Sequence, residues 1–94
     1  MRNPLRDIQD RVARGRYVLT LHFLEEMRDD HLFLPDILSA IDGATEVTDD
    51  GCDAQGDPKY KVPGFALDGR RIEVVCVIKE AIVLVTVHTN RNSR

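Results

Sequence analysis

A chain of 94 residues is long enough for one domain with a single hydrophobic core that needs no disulfide or metal. Its hydrophobic fraction of 43% is ordinary for a soluble globular chain, and its net charge of −3 counts against a strongly basic nucleic-acid binder. The longest apolar runs are too short to cross a bilayer, and the N-terminus lacks the apolar core of a signal peptide. We therefore predict a cytoplasmic protein without a membrane segment.

The charged residues are distributed unevenly along the chain. Arginines are frequent in the first predicted helix, and basic residues recur around the last two predicted strands, whereas the acidic residues gather between Glu25 and Asp57. Scattered charges usually mark a solvated surface, yet this distribution also allows a local basic face on an acidic chain. Cys52 and Cys76 show no metal-ligand spacing, so we expect neither a metal nor another cofactor.

The first half of the chain carries helix signals separated by one short strand. Asn3 is an N-cap followed by proline at the first helical position, and Gly15 stands where a helix commonly ends. Thr20 is an N-cap for a second helix, and Pro35 begins a third. These signals predict a helix between Pro4 and Gly15, a strand over Tyr17–Leu19, a helix over roughly Leu21–Asp29, and a helix from Pro35 to Gly43.

The second half of the chain carries strand and turn signals. Residues 44–48 predict a weak strand, and residues 49–58 predict a loop because they are rich in Asp and Gly. Residues 59–67 predict a strand in which Pro63 requires an edge position or a bulge, since proline cannot donate to a ladder. Asp68-Gly69 predicts a tight type I′ turn with a positive φ at Gly69.

The segment from Arg70 to Thr89 is the most apolar part of the chain. Residues 72–78 and 81–87 are two runs rich in β-branched residues, and only Lys79-Glu80 separates them, which predicts an antiparallel hairpin. A loop of even length gives one wholly apolar face, which we expect to be buried under the helices. That face includes Val74, Cys76, Val83 and Val85. A loop of odd length would shift one strand by one residue and turn its side chains to the other face of the sheet.

The same even register gathers the polar side chains of the hairpin in one corner of the opposite face. It places Arg71 opposite His88, and Glu73 opposite Thr86. Including this hairpin, the predicted order of elements is α-β-α-α-β-β-β-β, and residues 1–94 form a single domain. The order predicts an α+β fold in which helices pack on one face of an antiparallel sheet of four to five strands.

Two Thr-x-His segments, Thr20 to His22 and Thr86 to His88, are the candidates for chemistry. His22 would lie in the first turn of the second helix, where free N–H groups and the helix dipole attract phosphate and favour a neutral imidazole. A neutral imidazole near pH 7 is the form that a general base needs. The alternative interpretation makes both histidines exposed structural residues, and Arg71 and His88 a cross-strand pair.

A family resemblance is carried by four segments, YVLTLHFLEEM, LPDILSAI, PKYKVPGFALDGRRIEVVCVI and IVLVTVHT. Together they resemble a family of small bacterial domains of unassigned function, grouped with RelE-like and barnase/colicin-like ribonuclease folds, over about residues 16–89. The resemblance implies a RelE-like curved antiparallel sheet whose helix-free face binds RNA, and metal-independent cleavage through the 2′-hydroxyl. Glu26 and Asp30 stand where that family often has arginine. The matching positions are His22, Tyr60, Gly69 and Thr86.

Two hypotheses of function follow from the residues and the resemblance. In the first, the chain is a ribonuclease toxin of a toxin–antitoxin pair, with RNA as substrate and a cognate antitoxin as partner. His22 and His88 would be base and acid in either order, and Arg71 would bind the phosphate. The other candidate site residues are Thr86 in the catalytic corner and Thr20, Tyr60 and Arg70 in substrate binding. In the second, the chain is a non-catalytic protein-interaction domain that uses a strand edge or a sheet face.

Overall fold

The computed structural model describes residues 3–89, and within them the helices and strands follow one another in the predicted order. The elements are α1 (Pro4–Ala13), β1 (Tyr17–Leu19), α2 (Leu21–Asp29), α3 (Leu34–Asp42), β2 (Thr48–Cys52), β3 (Pro58–Phe65), β4 (Arg71–Ile78) and β5 (Ile82–Thr89). The predicted caps are present, since the side chains of Asn3 and Thr20 accept backbone hydrogen bonds at the starts of α1 and α2. The α+β class is therefore confirmed.

The strands form one mixed sheet in the order β1-β5-β4-β3-β2. The neighbours among β2, β3, β4 and β5 run antiparallel, as predicted, but β1 pairs in parallel with β5, where Val18 lies opposite Val83. The prediction of a purely antiparallel sheet is therefore wrong at this edge. Two helices and three strands separate β1 from β5 along the chain, and a connection of that length allows parallel neighbours.

The opposite edge of the sheet also differs from the prediction. β2 forms within residues 48–52, which the sequence assigns mainly to a loop, and residues 44–47 form no strand. Pairing of Thr48 with Lys61 of β3 imposes an extended backbone on a segment whose own strand propensity is low. Because this pairing starts at Lys61, β3 has no outer neighbour at Pro63 within the described residues, which confirms the predicted edge position of this proline.

The turn between β3 and β4 is one residue longer than predicted. Gly69 has a φ of 91°, so the predicted positive φ is confirmed. However, Ala66 N donates to the carbonyl oxygen of Arg70, which leaves residues 67–69 as a three-residue loop. A type I′ turn requires two consecutive residues with positive φ, and the φ of Asp68 is not positive. The loop is therefore the three-residue kind that ends in a left-handed glycine.

The β4–β5 hairpin departs from the predicted register at two points. Ile78 pairs with Ile82, so the loop contains three residues, 79–81, and not two. A bulge at Val85 then adds one further residue to β5. Beyond the bulge, each β4 residue faces a β5 residue two positions later than the even register predicts.

These two shifts decide which side chains of β5 enter the core. On β4, Val74 and Cys76 are fully buried, as predicted, and burial raises the pKa of the Cys76 thiol to about 12. On β5 the fully buried residues are Ile82, Leu84 and Val87, whereas Val83 and Val85 are only half-buried and lie outside the core. The prediction for these two valines is wrong because the odd loop shifts β5 by one position before the bulge.

All three helices contribute to a single core on one face of the sheet. Ile8 of α1, Phe23 of α2 and Ile37 of α3 are fully buried in it. Helix α3 approaches β3 so closely that a Cβ atom at Gly64 would lie 2.4 Å from the carbonyl oxygen of Ala40. No helix among residues 3–89 packs on the opposite face of the sheet. Within residues 3–89, no helix is long and apolar enough to cross a membrane.

Candidate functional site on the open sheet face

The face of the sheet turned away from the helices, which we call the open face, has a polar half and an apolar half. Strand pairing and side-chain alternation identify its members. The polar half comprises Lys61, Arg71, Glu73, Thr86 and His88, and the apolar half comprises Val18, Val75, Val77, Val83 and Val85. Val75 and Val77 are buried although they lie outside the core cluster, and the aliphatic stem of Lys61 beside Val75 can cover it.

A histidine–carboxylate contact lies within the polar half. Glu73 and His88 face each other across β4 and β5, and His88 Nε2 lies 3.0 Å from Glu73 Oε1. The even register predicts Arg71 opposite His88, and the bulge at Val85 replaces that neighbour with Glu73. An imidazole and a carboxylate at this distance can share a proton, which is the property that acid–base catalysis uses.

Two cations flank this contact. Arg71 lies two residues before Glu73 on the same side of β4, and Lys61 lies opposite Val75 at the next position of that side. Neither cation forms an ion pair with a residue of the described chain. Thr86 also lies opposite Val75, on the other side of β4. Both positive charges are therefore available to an anion bound over the polar half.

His22 lies apart from this group. Its helix begins beside Leu84, because Thr20 N donates to the Leu84 carbonyl oxygen at 3.1 Å. Leu84 faces Cys76, and Cys76 is five residues from Arg71 along β4. That separation corresponds to about 17 Å along the strand. The backbone of α2 therefore begins toward the other end of the sheet from Arg71, and the His22 side chain contacts Glu26 rather than Arg71, Thr86 or His88 within residues 3–89.

Helix α2 closes the edge of β5 beyond the end of β1. Glu26 Oε1 accepts a hydrogen bond from Val87 N at 3.0 Å, and Asp30 Oδ2 accepts one from Thr89 N at 3.3 Å. The other carboxylate oxygen of Glu26 lies 3.3 Å from His22 Nε2. Both acids stand where the resembling family often has arginine. They bind amide groups that a neighbouring strand would otherwise bind, and so they fix the end of β5.

Two of the residues predicted to bind substrate hold the fold together. Thr20 Oγ1 accepts a hydrogen bond from Phe23 N at 3.1 Å and thereby caps α2. The guanidinium group of Arg70 donates to the carbonyl oxygens of Asp30 and His31, at 2.6 and 3.0 Å. This contact fastens the β3–β4 turn to the segment after α2. Both side chains therefore have structural partners.

Tyr60, the third residue predicted to bind substrate, lies on the helix-covered face. It pairs with Cys76, and its ring packs against the core. Because side chains alternate along β3, Lys61 and Phe65 face the open side instead. The sequence reasoning missed both residues because it interrupted the strand at Pro63. A continuous strand through this proline places them on the open face by parity.

The acidic loop between β2 and β3 is fastened to the β4–β5 hairpin. Lys79 Nζ lies 2.9 Å from Asp53 Oδ2 and also contacts Asp57. The hydrogen bond from Lys79 lowers the pKa of Asp53, and the hydrogen bond to Asp57 raises the pKa of Lys79. Among residues 3–89, no group of three or more His, Cys, Asp or Glu side chains is placed to hold a metal ion.

Comparison with known proteins identifies a domain family. Residues 19–88, which are 70 of the 94 residues, match the model of a family described as "Domain of unknown function (DUF4258)". Neither the search of curated proteins nor the search of solved structures gave a match. The matched range begins at the end of β1 and ends at His88, so it contains the whole polar half of the open face.

Proposed function

The chain belongs to the DUF4258 family of domains of unknown function, and from this starting point we propose that it is a metal-independent ribonuclease acting through its open face. The observation that carries the proposal is the 3.0 Å contact between Glu73 and His88, flanked by Arg71 and Lys61, which form no ion pair with any residue in the range 3–89. Cleavage of RNA through the 2′-hydroxyl requires a base, an acid and a cation around one phosphate. The polar half of the open face supplies all three on neighbouring strands.

In the proposed reaction, Glu73 takes the proton of a 2′-hydroxyl, whose oxygen attacks the adjacent phosphorus. The O2′–P bond forms as the P–O5′ bond breaks, and His88 gives its proton to the departing 5′ oxygen. The products are a 2′,3′-cyclic phosphate and a 5′-hydroxyl. These roles require a protonated imidazole at His88 and an ionised carboxylate at Glu73.

Arg71 and Lys61 act on the phosphate in this scheme. The planar guanidinium group of Arg71 can bind two phosphoryl oxygens at once, and the ammonium group of Lys61 adds a second charge. Thr86 lies two residues from His88 on β5 and offers a hydroxyl group to the same phosphate. Glu73 takes the place of His22 as the partner of His88, because His88 contacts Glu73 whereas His22 contacts Glu26.

The proposal extends to a biological role as the toxin of a toxin–antitoxin pair. This part is supported by the sequence resemblance to domains grouped with RelE-like and barnase/colicin-like ribonucleases, and it includes a RelE-like fold for the sheet. The partner would be a cognate antitoxin. An antitoxin that packs on the apolar half of the open face would also cover the neighbouring Thr86 and His88, so that binding and inhibition would be one event.

A protein-interaction domain without catalysis is the second candidate, and the apolar half of the open face favours it. Val18 is 49% exposed on the short edge strand β1, and its neighbours Val83 and Val85 are half-buried. A row of apolar side chains beside a strand edge is a surface on which a partner can pack or add a strand. In this case the polar half would only orient the partner.

The test compares RNA cleavage by the wild-type protein with cleavage by three variants. His88→Ala and Glu73→Gln should each lower the cleavage rate by about 10²-fold or more, because each removes one proton-transfer group. His22→Ala is the matched control, since it removes a second histidine–glutamate contact outside the polar half. It should retain the wild-type rate within a few-fold, and all three variants should melt near the wild-type temperature.

Full cleavage by His88→Ala, or an equal loss in His22→Ala, would show that the catalytic pair is assigned wrongly. A wild-type protein that cleaves no single-stranded RNA would remove the ribonuclease and leave the interaction domain as the better account. Growth arrest on expression gives a parallel measurement in cells. It should disappear in Glu73→Gln and persist in His22→Ala.

A further inference from the structure

Phe65 is an exposed aromatic residue beside the polar half of the open face. Its side chain is 58% exposed, whereas Phe23 is fully buried in the core. It pairs with Arg71 across β3 and β4, and both side chains lie on the open face. Burial of a phenylalanine side chain stabilises a fold, and an exposed ring gives up most of that contribution. Packing therefore does not explain the position of Phe65.

We propose that Phe65 and Arg71 form a nucleotide subsite, in which the ring stacks on one unpaired base and the guanidinium group binds the adjoining phosphate. Aromatic rings next to cations are the combination with which proteins bind single-stranded nucleic acids. The Phe65–Arg71 pair lies two residues along the strands from the Glu73–His88 contact, which is about 7 Å. The subsite therefore adjoins the reacting phosphate, and its assignment to RNA rests on the proposed function.

A shallow depression of about 170 Å³ adjoins the ring. Pro63, Phe65 and Arg71 line one side of it, and residues 43–46 line the other. Its volume is below the roughly 300–1,000 Å³ of sites that enclose a complete drug-sized ligand, and it suits one part of a nucleotide. Glu46 belongs to the 43–46 lining of the depression, where its carboxylate can accept hydrogen bonds from the amino group of a base.

Stacking on Phe65 requires a base that is free of a duplex. Bases inside a helix are already stacked and paired, and RNA-binding sheets take bases that are splayed out of single strands. The subsite therefore selects single-stranded RNA over duplex RNA, and it selects a strand with bases over a bare chain of phosphates. A protein partner bound only to the valines of the apolar half would not contact Phe65.

The chain contains no tryptophan, which allows a direct test. Phe65→Trp introduces a single tryptophan at the subsite, and Phe33→Trp is the matched control, because Phe33 is 70% exposed just before α3 and belongs to no strand. Each variant is titrated with a single-stranded oligonucleotide carrying 2′-O-methyl groups, which block cleavage. The same oligonucleotide with abasic positions, and its duplex, complete the set.

Single-stranded RNA should quench the fluorescence of Phe65→Trp, while the abasic strand and the duplex should quench it several-fold less. The fluorescence of Phe33→Trp should not change with any of the three. Phe65→Ala should weaken binding of the single strand by about 5- to 150-fold, the range found when one stacking residue is removed. Phe65→Leu should behave like Phe65→Ala, because it keeps an apolar side chain but loses the ring.

Equal quenching of Phe65→Trp by the abasic strand or the duplex would overturn the subsite, and so would wild-type affinity in Phe65→Ala. Binding and cleavage are measured separately, so the two proposals fail separately. Quenching by a single strand that the wild-type protein does not cleave would keep the subsite and remove the ribonuclease. Cleavage by Phe65→Ala at the wild-type rate, together with wild-type affinity for the single strand, would keep the ribonuclease and remove the subsite.

Discussion

The path of β5 leads to opposite expectations for two adjacent residues. Leu84 is fully buried beneath the helices, whereas Val85 is half-buried at the bulge on the open face. Leu84→Ala removes apolar contact and leaves a cavity that the core fills only in part, which costs about 2–5 kcal/mol of unfolding free energy. Val85→Ala removes two methyl groups that already contact solvent, and it should cost less than about 1 kcal/mol.

These differences are large enough to measure by thermal unfolding. In a domain of this length, 1 kcal/mol shifts the melting temperature by roughly 4–8 °C, and the whole stability is about 5–15 kcal/mol. Circular dichroism should therefore show a loss of at least about 8 °C for Leu84→Ala and only a few degrees for Val85→Ala. Losses of equal size, or a larger loss for Val85→Ala, would mean that Val85 enters the core and that the bulge is absent.

Three further variants test the close packing, the turn and the acidic loop. Gly64→Ala should lower the unfolding free energy by about 1–3 kcal/mol, because its methyl group would lie 2.4 Å from the carbonyl oxygen of Ala40 in α3. Gly43→Ala is the control and should change the melting temperature little, because its methyl group would lie 3.4 Å from its nearest neighbour. Gly69→Val should cost about 1 kcal/mol or more in chemical denaturation, since a β-branched residue resists a φ of 91°. Lys79→Gln should increase amide hydrogen exchange in residues 53–57, because it removes the ammonium group that contacts Asp53 and Asp57. Exchange as slow as in the wild-type protein would contradict the contact. Because the pKa of Asp53 is lowered, the stability that its carboxylate contributes is fully present above its ordinary pKa of 3.8 and is lost as the pH falls further. Because the pKa of Lys79 is raised, the stability that its ammonium group contributes is fully present below its ordinary pKa of 10.5.

The helices could be predicted because their signals are local. The side chains of Asn3 and Thr20 bond to amide groups no more than three residues away, so residue type and spacing are sufficient. For α3 the predicted start at Pro35 is one residue late. The N–H of Phe33 donates to the Asp36 carboxylate, so the helix begins at Leu34.

The register of β5 could not be predicted in full, because two errors of parity cancel. A three-residue loop shifts the strand by one position, and the bulge at Val85 shifts it by one more. The polar side chains therefore share one face in both registers, and only their partners differ. The pattern of residue types identified the polar face, but tertiary packing places Glu73 opposite His88 and Leu84 in the core.

The position of His22 depends on the pairing of β1 with β5, which no local sequence pattern predicts. The three residues of β1 pair in parallel with β5, and this pairing places the start of α2 beside Leu84. The roles of Glu26 and Asp30 are similarly non-local, since they accept hydrogen bonds from β5 amides about sixty residues later in the chain. Sequence reasoning found these acids only as departures from a resembling pattern.

The most direct test of the proposed reaction is the chemistry of its product. Purified wild-type protein is incubated with a single-stranded RNA in the presence of a metal chelator, and the masses of the fragments are measured by mass spectrometry. We predict fragments that end in a 2′,3′-cyclic phosphate and fragments that begin with a 5′-hydroxyl, and their near absence with His88→Ala. Intact RNA with the wild-type protein, or the same fragments at the same rate with His88→Ala, would contradict cleavage by the Glu73–His88 pair.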